Sequence, residues 1–83
     1  MKTNFVIEIF TQNRCQACNQ VKQLFNARNL IYKTYEIDKS AEAKTDFFNR
    51  LPSARTVPQV FINGKHIGGL EETIKELYSN DYF

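Results

Sequence analysis

The chain has 83 residues, 42% hydrophobic and 13% aromatic, which is material for one small domain over 1–83 and too little for two. Eleven Lys and Arg stand against nine Asp and Glu. The resulting formal charge of +2 excludes the dense cationic footprint of a nucleic-acid binder.

The first apolar run, Phe5-Val6-Ile7-Glu8-Ile9-Phe10, is rich in β-branched and aromatic residues and predicts a mostly buried strand over 5–10. It is too short to span a membrane or to act as a secretory signal, and it carries Glu8. A cytoplasmic protein with no membrane partner is expected. After a polar break at Thr11-Gln12-Asn13-Arg14, the residues Ala17, Val21, Leu24 and Phe25 fall at helical spacing, with Asn29 as the C-terminal breaker. The helix therefore starts at or near Cys15. Residues 31–37, Ile-Tyr-Lys-Thr-Tyr-Glu-Ile, predict a second strand, parallel to the first through a crossover.

Ser40 is placed to cap a second helix in which Ala43, Phe47 and Leu51 recur every four residues, and Pro52 ends it. A loop leads to Pro58 and the short strand Gln59-Val60-Phe61-Ile62. Asn63-Gly64 predicts a tight type I′ hairpin, because both central positions of that turn need positive φ. Lys65-His66-Ile67 supplies the return strand, and His66 is expected at the surface without a catalytic role. Gly68-Gly69 then breaks the chain before a last helix with Leu70, Ile74, Leu77 and Tyr78 on one face. Tyr78, Tyr82 and Phe83 are expected to pack over that helix. The order β-α-β-α-β-β-α predicts an α/β fold, a four-stranded mixed sheet with three helices.

The sharpest chemical feature is Cys15-Gln16-Ala17-Cys18, set where a strand gives way to a helix. Two cysteines so close together close almost no loop, so their bridge adds little to stability. Unpaired N–H groups and the macrodipole at a helix N-terminus favour an anion, here the first sulfur as thiolate, and Arg14 adds a neighbouring positive charge. An ordinary thiol has a pKa of ~8.5, and lowering it by ~2 units makes it mostly thiolate at neutral pH. One helical turn brings Cys18 back to the same face. Cys15 is thus the candidate nucleophile and Cys18 the resolving thiol. Two small buried cysteines are the plain alternative. A zinc site needs four ligands, and the chain has two cysteines and one histidine.

With these cysteines, the stretch Arg55-Thr56-Val57-Pro58-Gln59-Val60-Phe61-Ile62-Asn63-Gly64-Lys65-His66-Ile67-Gly68-Gly69 resembles the glutaredoxin family. The resemblance covers nearly the whole chain. It implies a thioredoxin-like fold and reduction of protein disulfides and glutathione mixed disulfides. It also implies glutathione as co-substrate with no tightly bound cofactor, client proteins with ribonucleotide reductase among them, and a monomer. It further implies a cis Val57-Pro58 bond that leaves the Val57 backbone free to pair with substrate like an added strand.

Glutathione carries two carboxylates, an ammonium group and a thiol. The backbone N–H groups of Leu70 and Glu71, after Gly68-Gly69, suit its γ-glutamyl carboxylate. Glu71 or Glu72 suits the ammonium, and Arg55 suits the glycyl carboxylate, with Thr56 beside it. Each also has an ordinary structural use: first-turn acidic residues favour any helix, and glycines make tight turns.

The chain departs from the family pattern at Gln12, where Lys or Arg is usual, and at Gln16 and Ala17, where Pro and Tyr are common. Gln12 points toward a redoxin reduced by thioredoxin reductase, whereas Gly68-Gly69 and the two glutamates point toward glutathione. Absence of proline after Cys15 leaves room for a third reading, an iron–sulfur module in which two protomers share a cluster through Cys15 and glutathione.

Overall fold

The computed structural model describes residues 5–79. In chain order the elements are β1 (Ile7–Thr11), α1 (Gln16–Ala27), β2 (Lys33–Glu36), α2 (Ala41–Arg50), β3 (Gln59–Ile62), β4 (Lys65–Gly68) and α3 (Leu70–Ser79). The four strands form one mixed sheet in the order β2-β1-β3-β4. β1 runs parallel to β2 and antiparallel to β3, and β3 pairs antiparallel with β4. The expected α/β architecture is present element for element.

Strand alternation decides which side chains meet which helix. Ile7 and Ile9 join Val21, Phe25, Leu30, Val60, Ile62 and Leu77 in a core that includes α1 and α3 residues. Phe10 points the other way and forms a second core with Phe47 of α2 and Phe61 of β3. Its ring meets Phe47 edge-on at 5.4 Å and Phe61 at 6.0 Å, geometries aromatic pairs prefer. Covered on both faces, β1 reads as an almost unbroken apolar run.

Caps and turns follow the sequence closely. Ser40 Oγ accepts from the Ala43 N–H at 3.1 Å. Asn63 and Gly64 have φ of 53° and 81°, as a type I′ turn requires. Asn29, with φ 58°, ends the turn after α1.

Three expectations are corrected. The first strand begins at Ile7, not Phe5, because pairing with Ile62 of β3 starts there, and Val6 is 60% exposed. The second strand is Lys33–Glu36, shorter than 31–37, and Ile31 is 87% exposed, outside the β1 pairing. Tyr78 does not share the buried face of α3: it is 74% exposed, with the Arg28 guanidinium 5.1 Å from its ring centre. Tyr82 and Phe83 lie outside the described residues. Among the described residues, no helix is long and apolar enough to cross a membrane.

Candidate active site

The site is assembled where the ends of β1 and α2 and the start of β3 come together. Asn13 N–H donates to Asp38 Oδ2 at 3.0 Å, which ties the loop after β1 to the loop after β2. Arg14 then takes a left-handed φ of 55°, uncommon for a residue with a side chain. Cys15 follows in extended conformation as the N-cap of α1. Its sulfur stands where a Ser or Asp oxygen usually stands, and Cys18 N–H donates to it at 3.1 Å.

Cys15 and Cys18 are joined by a disulfide, with Cα atoms 5.2 Å apart, an ordinary spacing for a bridge. They differ in access: Cys18 is completely buried, whereas Cys15 is half-buried. Only the first sulfur is open to an incoming disulfide. On reduction, the N–H at 3.1 Å and the start of α1 stabilise charge on Cys15 more than its neutral form.

Across from it, the Val57–Pro58 peptide bond is cis, and the Val57 carbonyl oxygen lies 3.9 Å from Cys15 Sγ. A cavity of about 430 Å³ opens beside the sulfur, lined by Gln12, Arg14, Arg55, Thr56 and Val57 together with apolar groups of Ile37, Ala54, Phe47 and Phe48. The structure thus brings Gln12, Arg55, Thr56 and Val57 to one cavity with Cys15.

Gly69 and the first residues of α3, Leu70, Glu71 and Glu72, do not line this cavity. A Cβ added at Gly69 stands 3.5 Å from the Pro58 carbonyl oxygen, so Gly69 lies beside the cis-proline loop. Gly68, with φ 125°, makes the turn into the helix. Glu72 Oε1 accepts from Gly69 N–H at 3.0 Å, closing the helix N-terminus with its own side chain. Backbone hydrogen bonds to this carboxylate, from its own N–H and that of Gly69, hold its pKa below the usual value. Glu71 is exposed. Leu70 faces a shallow groove with Gln20, Gln23, Leu24, Ala27 and Ile74. His66 is exposed, with Nε2 2.8 Å from Gln59 Oε1, away from the sulfurs' cavity.

Sequence reasoning left out Phe48, Ile37 and Ala54 as cavity walls. Phe48 directly follows Phe47 and so falls off the four-residue repeat that marks the buried face of α2. Its 42% exposure is consistent with that position.

A Cys-x-x-Cys disulfide at a helix N-terminus, facing a cis-proline loop on a four-stranded mixed sheet, defines a thioredoxin-like protein of thiol–disulfide chemistry. A glutaredoxin family model matches residues 7–67, and the chain belongs to the glutaredoxin family. It is 40% identical over 76 residues to a glutaredoxin of Vernicia fordii, covering 88% of this chain and 71% of that protein. It is 33% identical over 73 residues to the mitochondrial glutaredoxin-2 of Mus musculus, covering 86% of this chain and 47% of that protein. The chain therefore spans about half the length of the mouse relative. A crystal structure of a buckwheat glutaredoxin–glutathione complex aligns with a TM-score of 0.76 and 31% identity, over 90% of this chain and 70% of that one.

Proposed function

We propose that the chain is a cytoplasmic glutathione-dependent oxidoreductase that reduces protein disulfides and glutathione mixed disulfides, with ribonucleotide reductase among its clients. The observation that carries this reading is the unequal pair: Cys15 is reachable and capped by the Cys18 N–H at 3.1 Å, while Cys18 is buried behind it. The buckwheat relative's complex with glutathione supports the choice of reductant.

The Cys15 thiolate attacks one sulfur of the client disulfide, forms a mixed disulfide and expels the other sulfur as a thiolate, which takes up a proton. Cys18 then loses its proton and attacks Cys15 Sγ. This forms the internal disulfide and releases the client's second thiol. Two electrons pass from protein to client, and two glutathione molecules restore the dithiol as glutathione disulfide. For a glutathione mixed disulfide, Cys15 alone suffices. Arg55 is suited to the glycyl carboxylate, the Val57 backbone to the peptide, and the N–H groups of Leu70 and Glu71 to the γ-glutamyl carboxylate. Glu72 already holds the Gly69 N–H, which leaves Glu71 better placed to receive the ammonium.

One observation favours a second electron source. Gln12 lines the cavity with a neutral amide where a cation would grip the glycyl carboxylate, and this suits a redoxin reduced by thioredoxin reductase. Turnover of a glutathione mixed disulfide separates the two, driven either by glutathione with glutathione reductase or by thioredoxin reductase alone. Rapid turnover only with glutathione is expected. Turnover only with thioredoxin reductase overturns the glutathione reading.

A further inference from the structure

The cavity beside Cys15 has two chemically different walls. One is apolar: Phe48 is 42% exposed, its ring propped edge-on against buried Phe47 at 5.1 Å, with Ile37 and Ala54 alongside. The other carries the guanidinium groups of Arg14 and Arg55. Among the described residues neither guanidinium has an ion pair or a hydrogen bond, whereas Arg50 is held by Glu8 and Asp46. No carboxylate lines this cavity.

Glutathione is chemically suited to only part of this surface: its glycyl arm ends in a carboxylate, which complements the cations, and carries no side chain to cover the aromatic wall. A peptide chain with an acidic residue and a bulky apolar one satisfies both. Burying such a side chain against Phe48 removes apolar surface from water on both partners. The uncommitted cations favour an acidic segment and repel a basic one.

Resting on the thiol-exchange reading above, we propose that this cavity selects client proteins in which the cysteine attacked by Cys15 is followed within two residues by an acidic and a bulky apolar side chain. The chemistry is the same exchange: the client disulfide gains two electrons and two protons, and the Cys15–Cys18 dithiol loses them. Arg14 and Phe48 act as specificity-determining residues and take no part in electron transfer.

Single-turnover oxidation of the pre-reduced protein tests this without any glutathione or reductase. Three short peptides with the same internal disulfide are used, their second cysteine followed by Glu-Phe, Lys-Phe or Glu-Ser. The Glu-Phe peptide is expected to react about tenfold faster than either of the others, the order that one apolar contact or one charge contact gives. Phe48→Ser is expected to bring the Phe/Ser ratio close to one and leave the Glu/Lys ratio, while Phe48→Leu keeps both. Arg14→Gln is expected to shrink the Glu/Lys ratio. Because each ratio is taken within one variant, a general loss of folded protein does not imitate the effect. Equal rates for the three peptides, or a Phe/Ser ratio that survives Phe48→Ser, overturn the proposal and leave the proposed redox function standing. No reaction with any peptide overturns the thiol-exchange reading itself.

Discussion

Glu8 of β1 and Arg50 at the end of α2 are joined by two hydrogen bonds, Nη1 to Oε1 at 3.0 Å and Nη2 to Oε2 at 3.2 Å. Asp46 holds the same guanidinium from within α2, and the rings of Phe10 and Phe61 lie 5.3 and 5.1 Å from it. Tyr35 O–H donates to Glu8 Oε2 at 3.1 Å. Together these contacts lock α2, and with it Phe48 and the loop that follows, onto the sheet.

The pair makes stability depend on pH. The Arg50 hydrogen bond is the main cause holding the Glu8 carboxyl below its ordinary value of 4.5, with burial opposing it. The unfolded chain therefore binds the Glu8 proton first as pH falls. This contribution is fully present above about pH 4.5 and disappears as pH drops through the lower folded value. Glu8→Gln is expected to cost about 1–2 kcal/mol near neutral pH. Urea unfolding should show the gap between variant and wild type closing under strongly acidic conditions. A gap independent of pH contradicts the assignment.

Reduced Cys15 should titrate below an ordinary thiol. With the Cys18 N–H aimed at its sulfur, its alkylation is expected to set in at lower pH than that of an ordinary exposed thiol. Cys18, fully buried, should react far more slowly. Cys15→Ser is expected to abolish reduction of every disulfide, whereas Cys18→Ser keeps activity on glutathione mixed disulfides and loses it on protein disulfides.

Gly68 admits no side chain. A Cβ there stands 2.9 Å from both Cβ and Cγ of Glu72, at a φ of 125° that L-residues rarely adopt. Gly68→Ala is expected to destabilise the protein by about 1–3 kcal/mol, read as a lower urea midpoint. It should also raise KM for glutathione mixed disulfides, because the start of α3 shifts with it. Gly64→Ala serves as the comparison, since no atom lies within 4 Å of a Cβ there and only the φ of 81° opposes it.

Gln12 lines the cavity as a neutral group. Gln12→Lys is expected to lower KM for glutathione mixed disulfides about threefold to tenfold at low salt, with little change in kcat. The gain should fade as ionic strength rises. An unchanged KM means that the glycyl carboxylate is bound elsewhere.

Local signals carried most of the architecture. Ser40, Asn63-Gly64 and Gly68 each impose a backbone requirement readable from one or two residues, and all three appear where expected. The crossover and the hairpin announced the β1–β2 and β3–β4 pairs, whereas the antiparallel seam between β1 and β3 joins distant segments that no local signal links. What escaped the sequence depends on distance. Glu8 and Arg50 are 42 positions apart, and nothing in either neighbourhood announces their pairing, so Glu8 read only as a charge in an apolar run. Glu71 and Glu72 read as alternative ligands for glutathione's ammonium, and the spacing did not announce that the Glu72 carboxylate accepts from Gly69 N–H at the helix N-terminus. Tyr78 fits the spacing of the buried stripe, yet stacking with Arg28 outside the core accounts for its place.

The position of Cys15 as the cap of α1 links reactivity to folding. The N–H group that stabilises its anion exists as a donor at that spot only while the first turn of α1 is formed, and the Val57 carbonyl beside it comes from a segment 42 positions away. A newly made or heat-unfolded chain therefore carries two ordinary, sluggish thiols. Thiol chemistry at Cys15 is expected to depend on the tertiary structure, and labelling of the reduced protein should be faster in the folded chain than in the unfolded one.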